Sequence, residues 1–84
     1  MRELLMDYDN NKVDEMVLAL LWLTTSRVGP AARAWKGMDW DAMDRLHEKG
    51  FIGDPKSKAM SVVLTEAGAK RSEELFRQHF GRGV

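Results

Sequence analysis

Residues 45–68, RLHEKGFIGDPKSKAMSVVLTEAG, carry local signals in an order that decides the fold. The stretch opens on the end of an amphipathic helix, with Leu46 facing inward and Gly50 following Lys49 where a left-handed cap is cheapest. Phe51 and Ile52 then supply a very short strand. In Gly53-Asp54-Pro55 the proline presets its own φ and pushes Asp54 away from helix, so the segment with Lys56, Ser57 and Lys58 is turn chemistry. Met60 to Leu64 is the returning strand of a hairpin, with Met60, Val62 and Leu64 on one face and Ser61 and Val63 on the other. Thr65 stands where a helix N-cap belongs, and Glu66 occupies the first turn near the positive end of the dipole. The order is helix, hairpin, helix.

Working outward, Asp9 to Asn11 offer caps for a first helix running to about Thr25. Val13, Met16, Val17, Leu20 and Leu21 form its core stripe, while Leu18, Trp22 and Leu23 carry apolar character most of the way round. Such a helix needs cover on two sides, which either the other helices or a second copy of the chain can supply. Gly29-Pro30 breaks it, and the segment to Gly37 reads either as a short helix from Pro30, which suits a first turn, through Trp35, or as a solvated connector. Gly37 ends that turn. Asp39 caps the next helix, Trp40 to Lys49, whose Trp40, Met43, Leu46 and His47 point at the core. The closing helix spans Thr65 to Phe80, with Ala69, Ser72, Leu75, Phe76 and Phe80 inward, and Gly81 stops it.

The wording Leu46-x-x-Lys49-Gly50-Phe51-Ile52, then Val62-Val63-Leu64-Thr65-Glu66-x-Gly68 after a polar turn, resembles the winged helix-turn-helix domains of small bacterial regulators. That resemblance implies a recognition helix over 39–49, a wing over the hairpin, and a first helix of the pair over 30–35. More closely, Ala34-Trp35-Lys36-Gly37-Met38-Asp39-Trp40-Asp41 followed by Met43 to Gly50 resembles a family of uncharacterised short bacterial proteins, a domain of unknown function. The likeness runs from about Met6 to Gly81 and implies a fold without an activity. The expected architecture is α+β and mostly helical: a winged helix-turn-helix-like domain with three to four helices and one two-stranded β-hairpin.

Eighty-four residues bound the chain to a single domain with a modest core, residues 1–84, with 1–8 and 81–84 as flexible ends. Met1 to Leu5 read as an extension ahead of Met6. Lys plus Arg and Asp plus Glu balance at thirteen each, so the basic excess of a strong nucleic-acid binder is missing. Cysteine is absent, which removes disulfides and thiolate metal sites and fits a reducing cytoplasm. The longest apolar run, Met16 to Leu23, falls far short of the roughly twenty residues needed to cross a bilayer. Glu3 and Asp7 interrupt any signal peptide. A soluble cytoplasmic protein is expected.

The densest polar group is Asp39, Asp41, Asp44, His47 and Glu48 on one helix. Acids near a helix N-terminus are ordinarily dipole partners, and the spacing matches no metal motif, so no catalytic residue, metal or cofactor is expected. Trp22, Trp35 and Trp40 read as core or interface material rather than a ligand cage. For DNA, Arg33, Lys36, Arg45, Lys49, Lys56 and Lys58 are the candidate contacts, against four acids to two bases along the 39–49 helix. Two readings stand side by side. One is a non-enzymatic winged-helix protein, a bacterial regulator or accessory factor that dimerises through its first helix and touches nucleic acid weakly through the wing. The other is a protein-interaction module without DNA, in which Leu18, Trp22 and Leu23 meet a second copy or another protein.

Overall fold

The computed structural model describes residues 6–83, with Val28 described through its backbone alone. Helix α1 (Asn10–Leu21) runs into a 3-10 turn (Trp22–Thr24) and is followed by strands β1 (Ser26–Val28) and β2 (Ala31–Trp35). Helix α2 (Trp40–Glu48), strand β3 (Ser61–Leu64) and helix α3 (Glu66–Phe80) complete the order. The architecture is α+β, with three helices and a three-stranded antiparallel sheet among the described residues.

The helix starts follow from side-chain capping. Asp9 accepts from the Asn11 and Lys12 amides, Asp39 from Ala42, and Thr65 from Gly68. Gly50, with φ +82°, supplies the left-handed residue that lets the chain leave α2. Thr65 also ties the start of α3 to the end of α2, since its hydroxyl donates to Gly50 O at 2.7 Å.

The segment around Pro30, read as a short helix or a solvated connector, is instead a β-hairpin. Gly29 takes φ +62° at the first position of a two-residue loop, and Pro30, fixed near −65°, fits the second position of a II′ turn. Its missing N–H costs nothing there. The sheet order is β1-β2-β3, with Ser26 opposite Arg33 and Arg33 opposite Val63. Strand β3 thus finds its main partner in β2. The expected pairing with Phe51-Ile52 shrinks to a single bridge, Ile52 to Leu64, completed by Gly53 N donating to Val63 O at 2.8 Å. The element read as the first helix of a helix-turn-helix pair is therefore strand.

Alternation along β2 buries Ala32 and Ala34 and turns Arg33 and Trp35 outward, and β3 buries Val62 and Leu64 while Val63 faces out. Met60, expected on the inner face, precedes the strand and is exposed. The inner face packs with Leu18, Leu21, Met43, Leu46, Ile52 and Leu75 into one core. Each buried leucine contributes about 1.5–3 kcal/mol.

Two helix faces differ from expectation. On α1 the buried line is Asp14, Leu18, Leu21, with Ala19 beside it, rather than one centred on Val13, Met16, Val17 and Leu20. A helix apolar nearly all round admits several rotations, and pairing of the Asp14 charge selects one. On α2, Ala42, Met43 and Leu46 are buried, so Trp40 stands about 110° from their centre at 100° per residue and is exposed, as is His47. His47 instead meets Ile52 O through Nδ1 at 3.1 Å. On α3, Phe80 is likewise exposed. Ser72 is fully buried there and donates to Leu18 O at 2.7 Å, joining α1 to α3.

Residues 6–9 and 81–83 carry no helix or strand, and the expected extension 1–5 and residue 84 lie outside the described residues. Among the described residues no helix is long and apolar enough to cross a membrane.

Candidate nucleic-acid interface

The six cations singled out in the sequence divide between two places. Arg33 projects from the outer face of β2, where Nε donates to Ser61 Oγ at 2.7 Å and Nη2 to Ser61 O at 2.9 Å. Lys36, just past the strand, reaches the 53–60 loop and donates to Pro55 O at 2.9 Å and also to Ser57 O. These bonds fix the loop against the sheet. Asp54 shapes its tip by accepting from the Lys56 amide at 2.9 Å, an Asx turn. Pro55 is buried, whereas Lys56 and Lys58 are exposed and form no ion pair among the described residues.

Arg45 and Lys49 go elsewhere. Both turn toward α1 and close on the buried Asp14 carboxylate: Arg45 Nε lies 2.9 and 2.8 Å from its two oxygens, and Lys49 Nζ lies 2.9 Å from Oδ2. Burial by itself would push the Asp14 carboxyl up, but hydrogen bonds from Arg45 and Lys49, with their charges, outweigh it and hold it below the ordinary carboxylate range. The same contact raises Arg45. The two groups read as recognition-helix cations thus serve as internal counter-ions.

A pH dependence follows. A carboxyl whose folded pKa lies below its unfolded value near 3.8 gives stability that is present above that value and lost as pH falls through the folded one. Urea midpoints should therefore fall below about pH 4, and an Asp14→Asn chain should lose that component of the acid slope while keeping whatever other carboxyls contribute. Equal acid slopes in the two chains would contradict the assignment.

The sequence reading missed the setting of the tryptophans. Trp35, expected in a core or interface, is 54 % exposed on the outer sheet face, and Trp40 is 67 % exposed at the start of α2. The period-two pattern Ala32, Arg33, Ala34, Trp35 was the available signal. Of the proposed partner surface, Leu18 belongs to the chain's own core at 1 % exposure, because it sits on the buried line of α1. Leu23 is exposed, and Trp22 lines a groove of about 650 Å³ between the sheet and α3, with Arg27, Leu64, Ala69 and Lys70. Asp39, Asp41, Asp44, His47 and Glu48 stay dispersed along α2, and no group of three His, Cys, Asp or Glu among the described residues could hold a metal ion.

A family described as a domain of unknown function, DUF6429, matches residues 9–82. The chain belongs to the DUF6429 family. The likeness read over Met6 to Gly81 is thereby a membership spanning all three helices and the sheet. The DUF6429 chain is also similar to the uncharacterized protein y4hR of Sinorhizobium fredii (strain NBRC 101917 / NGR234), at 54 % identity over 77 residues that cover 92 % of this chain and 100 % of the relative. No solved structure matches it.

Proposed function

We propose that this DUF6429 chain is a small non-enzymatic binding protein, a bacterial regulator or accessory factor, that holds nucleic acid weakly through the outer sheet face and the 53–60 loop. The observation that carries this reading is the separation of charge within a chain whose formal net charge is zero. The outer sheet face and the 53–60 loop with its Lys36 anchor hold Arg33, Lys36, Lys56 and Lys58 against Asp54 alone, while Arg27, paired with the inward Ala32, lines the groove beside α3. Helix α2 and its cap hold Asp39, Asp41, Asp44 and Glu48, and its two cations are spent on Asp14. A polyanion is attracted to the first surface and repelled by the second.

Retention of nucleic acid should fall as salt rises, and replacing Lys56 and Lys58 by alanine should lower the slope of log affinity against log salt by about one to two, since each phosphate contact contributes about 0.7–0.9. Absence of any complex with duplex or single strand at low salt would end this reading.

A second reading is favoured by one observation, the exposed Leu23 beside the Trp22-lined groove: a protein-interaction or dimerisation module without DNA. It requires a dimer or a stable protein complex that Leu23→Glu disrupts, and a strictly monomeric sedimentation profile with no retained partner removes it.

A further inference from the structure

We infer that the outer sheet face takes single-stranded nucleic acid, with a base stacked on the Trp35 indole and phosphates met by Arg33, Lys56 and Lys58. This rests on the nucleic-acid reading above and specifies its ligand.

Three observations lead there. First, the helices cover the inner sheet face, where Ala32, Ala34, Val62 and Leu64 are buried, while Arg33, Trp35 and Val63 stand on the outer one. Arg33 and Trp35 are two residues apart on the central strand and so share a face, with Val63 and Ser61 opposite them on β3. A half-exposed indole beside a guanidinium on an open sheet is a stacking plane with a phosphate ligand at its side.

Second, the indole is held in place by a glycine. A Cβ on Gly37 would lie 2.3 Å from Cζ2 and 2.5 Å from Cη2 of Trp35, so the ring rests against the Gly37 backbone in space that only glycine leaves open. An unsupported surface tryptophan loses rotamer freedom on binding, whereas one already seated loses less. Trp40 offers a contrast, since it is more exposed but flanked by Asp39 and Asp41, where a polyanion is disfavoured.

Third, the shape excludes the usual duplex alternatives. Two strand spacings separate β1 from β3 by about 10 Å between backbone centres, before side chains are counted, so three strands overfill a major groove about 12 Å wide that admits a helix or a two-stranded ribbon. The helix that would enter instead, α2, leads with Asp39, Asp41 and Asp44. In a duplex the bases are already stacked on each other and give an indole nothing to cover. A single strand exposes both its bases and its phosphates.

The test is fluorescence anisotropy at low salt with a labelled oligo-dT of fifteen nucleotides, a random duplex of equal length, an abasic phosphodiester chain and an acidic peptide. Oligo-dT should bind about tenfold tighter than the duplex, the abasic chain or the peptide. Trp35→Ala should weaken oligo-dT binding about tenfold or more and leave the duplex unchanged, Trp35→Phe should restore most of the loss, and Trp40→Ala should have no effect. Gly37→Ala should lower oligo-dT affinity with little change in melting temperature, because the flexible indole is what yields. Should Trp35→Ala fail to fold, the chain carrying Trp22→Phe and Trp40→Phe keeps Trp35 as its one indole, and oligo-dT should quench its emission. Binding of oligo-dT by Trp35→Ala within twofold of the original chain, no quenching of that single indole, or equal affinity for the abasic chain or the peptide overturns the inference. A preference for duplex also overturns it while leaving the broader nucleic-acid reading standing, whereas no binding to any probe removes both.

Discussion

Replacing Arg45 and Lys49 together by methionine is expected to remove about 3–5 kcal/mol of stability, a large part of the roughly 5–10 kcal/mol that holds a chain of this length. The cause is asymmetric burial. Asp14 is 1 % exposed, while the Arg45 and Lys49 side chains are 27 % and 37 % exposed. Taking away both cations strands a carboxylate in the interior beside a small pocket lined by Asn11, Leu18, Leu46, Phe51 and Leu75, whose remaining cation, Arg71, is paired with Glu74. Taking away the carboxylate instead leaves two cations that can turn into water. Asp14→Met, whose longer, flexible side chain can extend into the adjoining pocket, is therefore expected to cost far less than the double change, about 1 kcal/mol or below. Denaturant titration of the three chains at neutral pH measures both losses. If Asp14→Met proves as costly as the double substitution, the account of which group carries the desolvation is wrong.

Gly68→Ala is expected to cost about 3 kcal/mol, although alanine is the better helix former by roughly 1 kcal/mol. A Cβ at this buried position would lie 1.8 Å from Phe51 O and 2.7 Å from its carbonyl carbon. Those are backbone atoms, and Phe51 O is held in turn by the Thr65 amide at 3.0 Å and the Thr65 hydroxyl at 3.2 Å. Relief of the clash requires moving α3 off the 51–53 segment or breaking these bonds. The loss should appear in the denaturation midpoint, and amide exchange at Gly53 and Thr65 should quicken, because both donate across that seam. Unchanged stability in Gly68→Ala would show that α3 shifts without penalty.

The contrast between what was and was not legible in the sequence has a simple physical basis. Caps are local: Asp9, Asp39, Thr65 and Gly50 each announce a helix boundary through groups within a few residues, and all four act where they were read. The strand 31–35 is decided at long range. Ala31, Ala32, Arg33 and Ala34 are strong helix formers, and Pro30 favours a helix start, yet pairing of Arg33 with Val63 and burial of Ala32 and Ala34 against the helices override them. The rotation of α1 was hidden for a related reason, since Asp14 looks like a surface acid until Arg45 and Lys49, thirty-one and thirty-five residues away, are seen to reach it. At the candidate interface, the turn residues Gly53-Asp54-Pro55 correctly exposed Lys56 and Lys58, whereas the outward setting of Trp35 rests on a short period-two pattern that the helix propensity of the alanines and Pro30 masks.

The Phe51–Gly53 segment also bears on how the protein behaves when crowded. By bonding to β3 and its extension, it occupies the flank along which another chain could add a strand. The opposite flank offers just the three residues of β1, cut short by a glycine-proline corner. Ribbon-like self-association needs a long, regular row of unsatisfied amides and carbonyls to template on. This sheet offers growth only a short foothold on either side, so its outer face can stay open to solvent without inviting fibres.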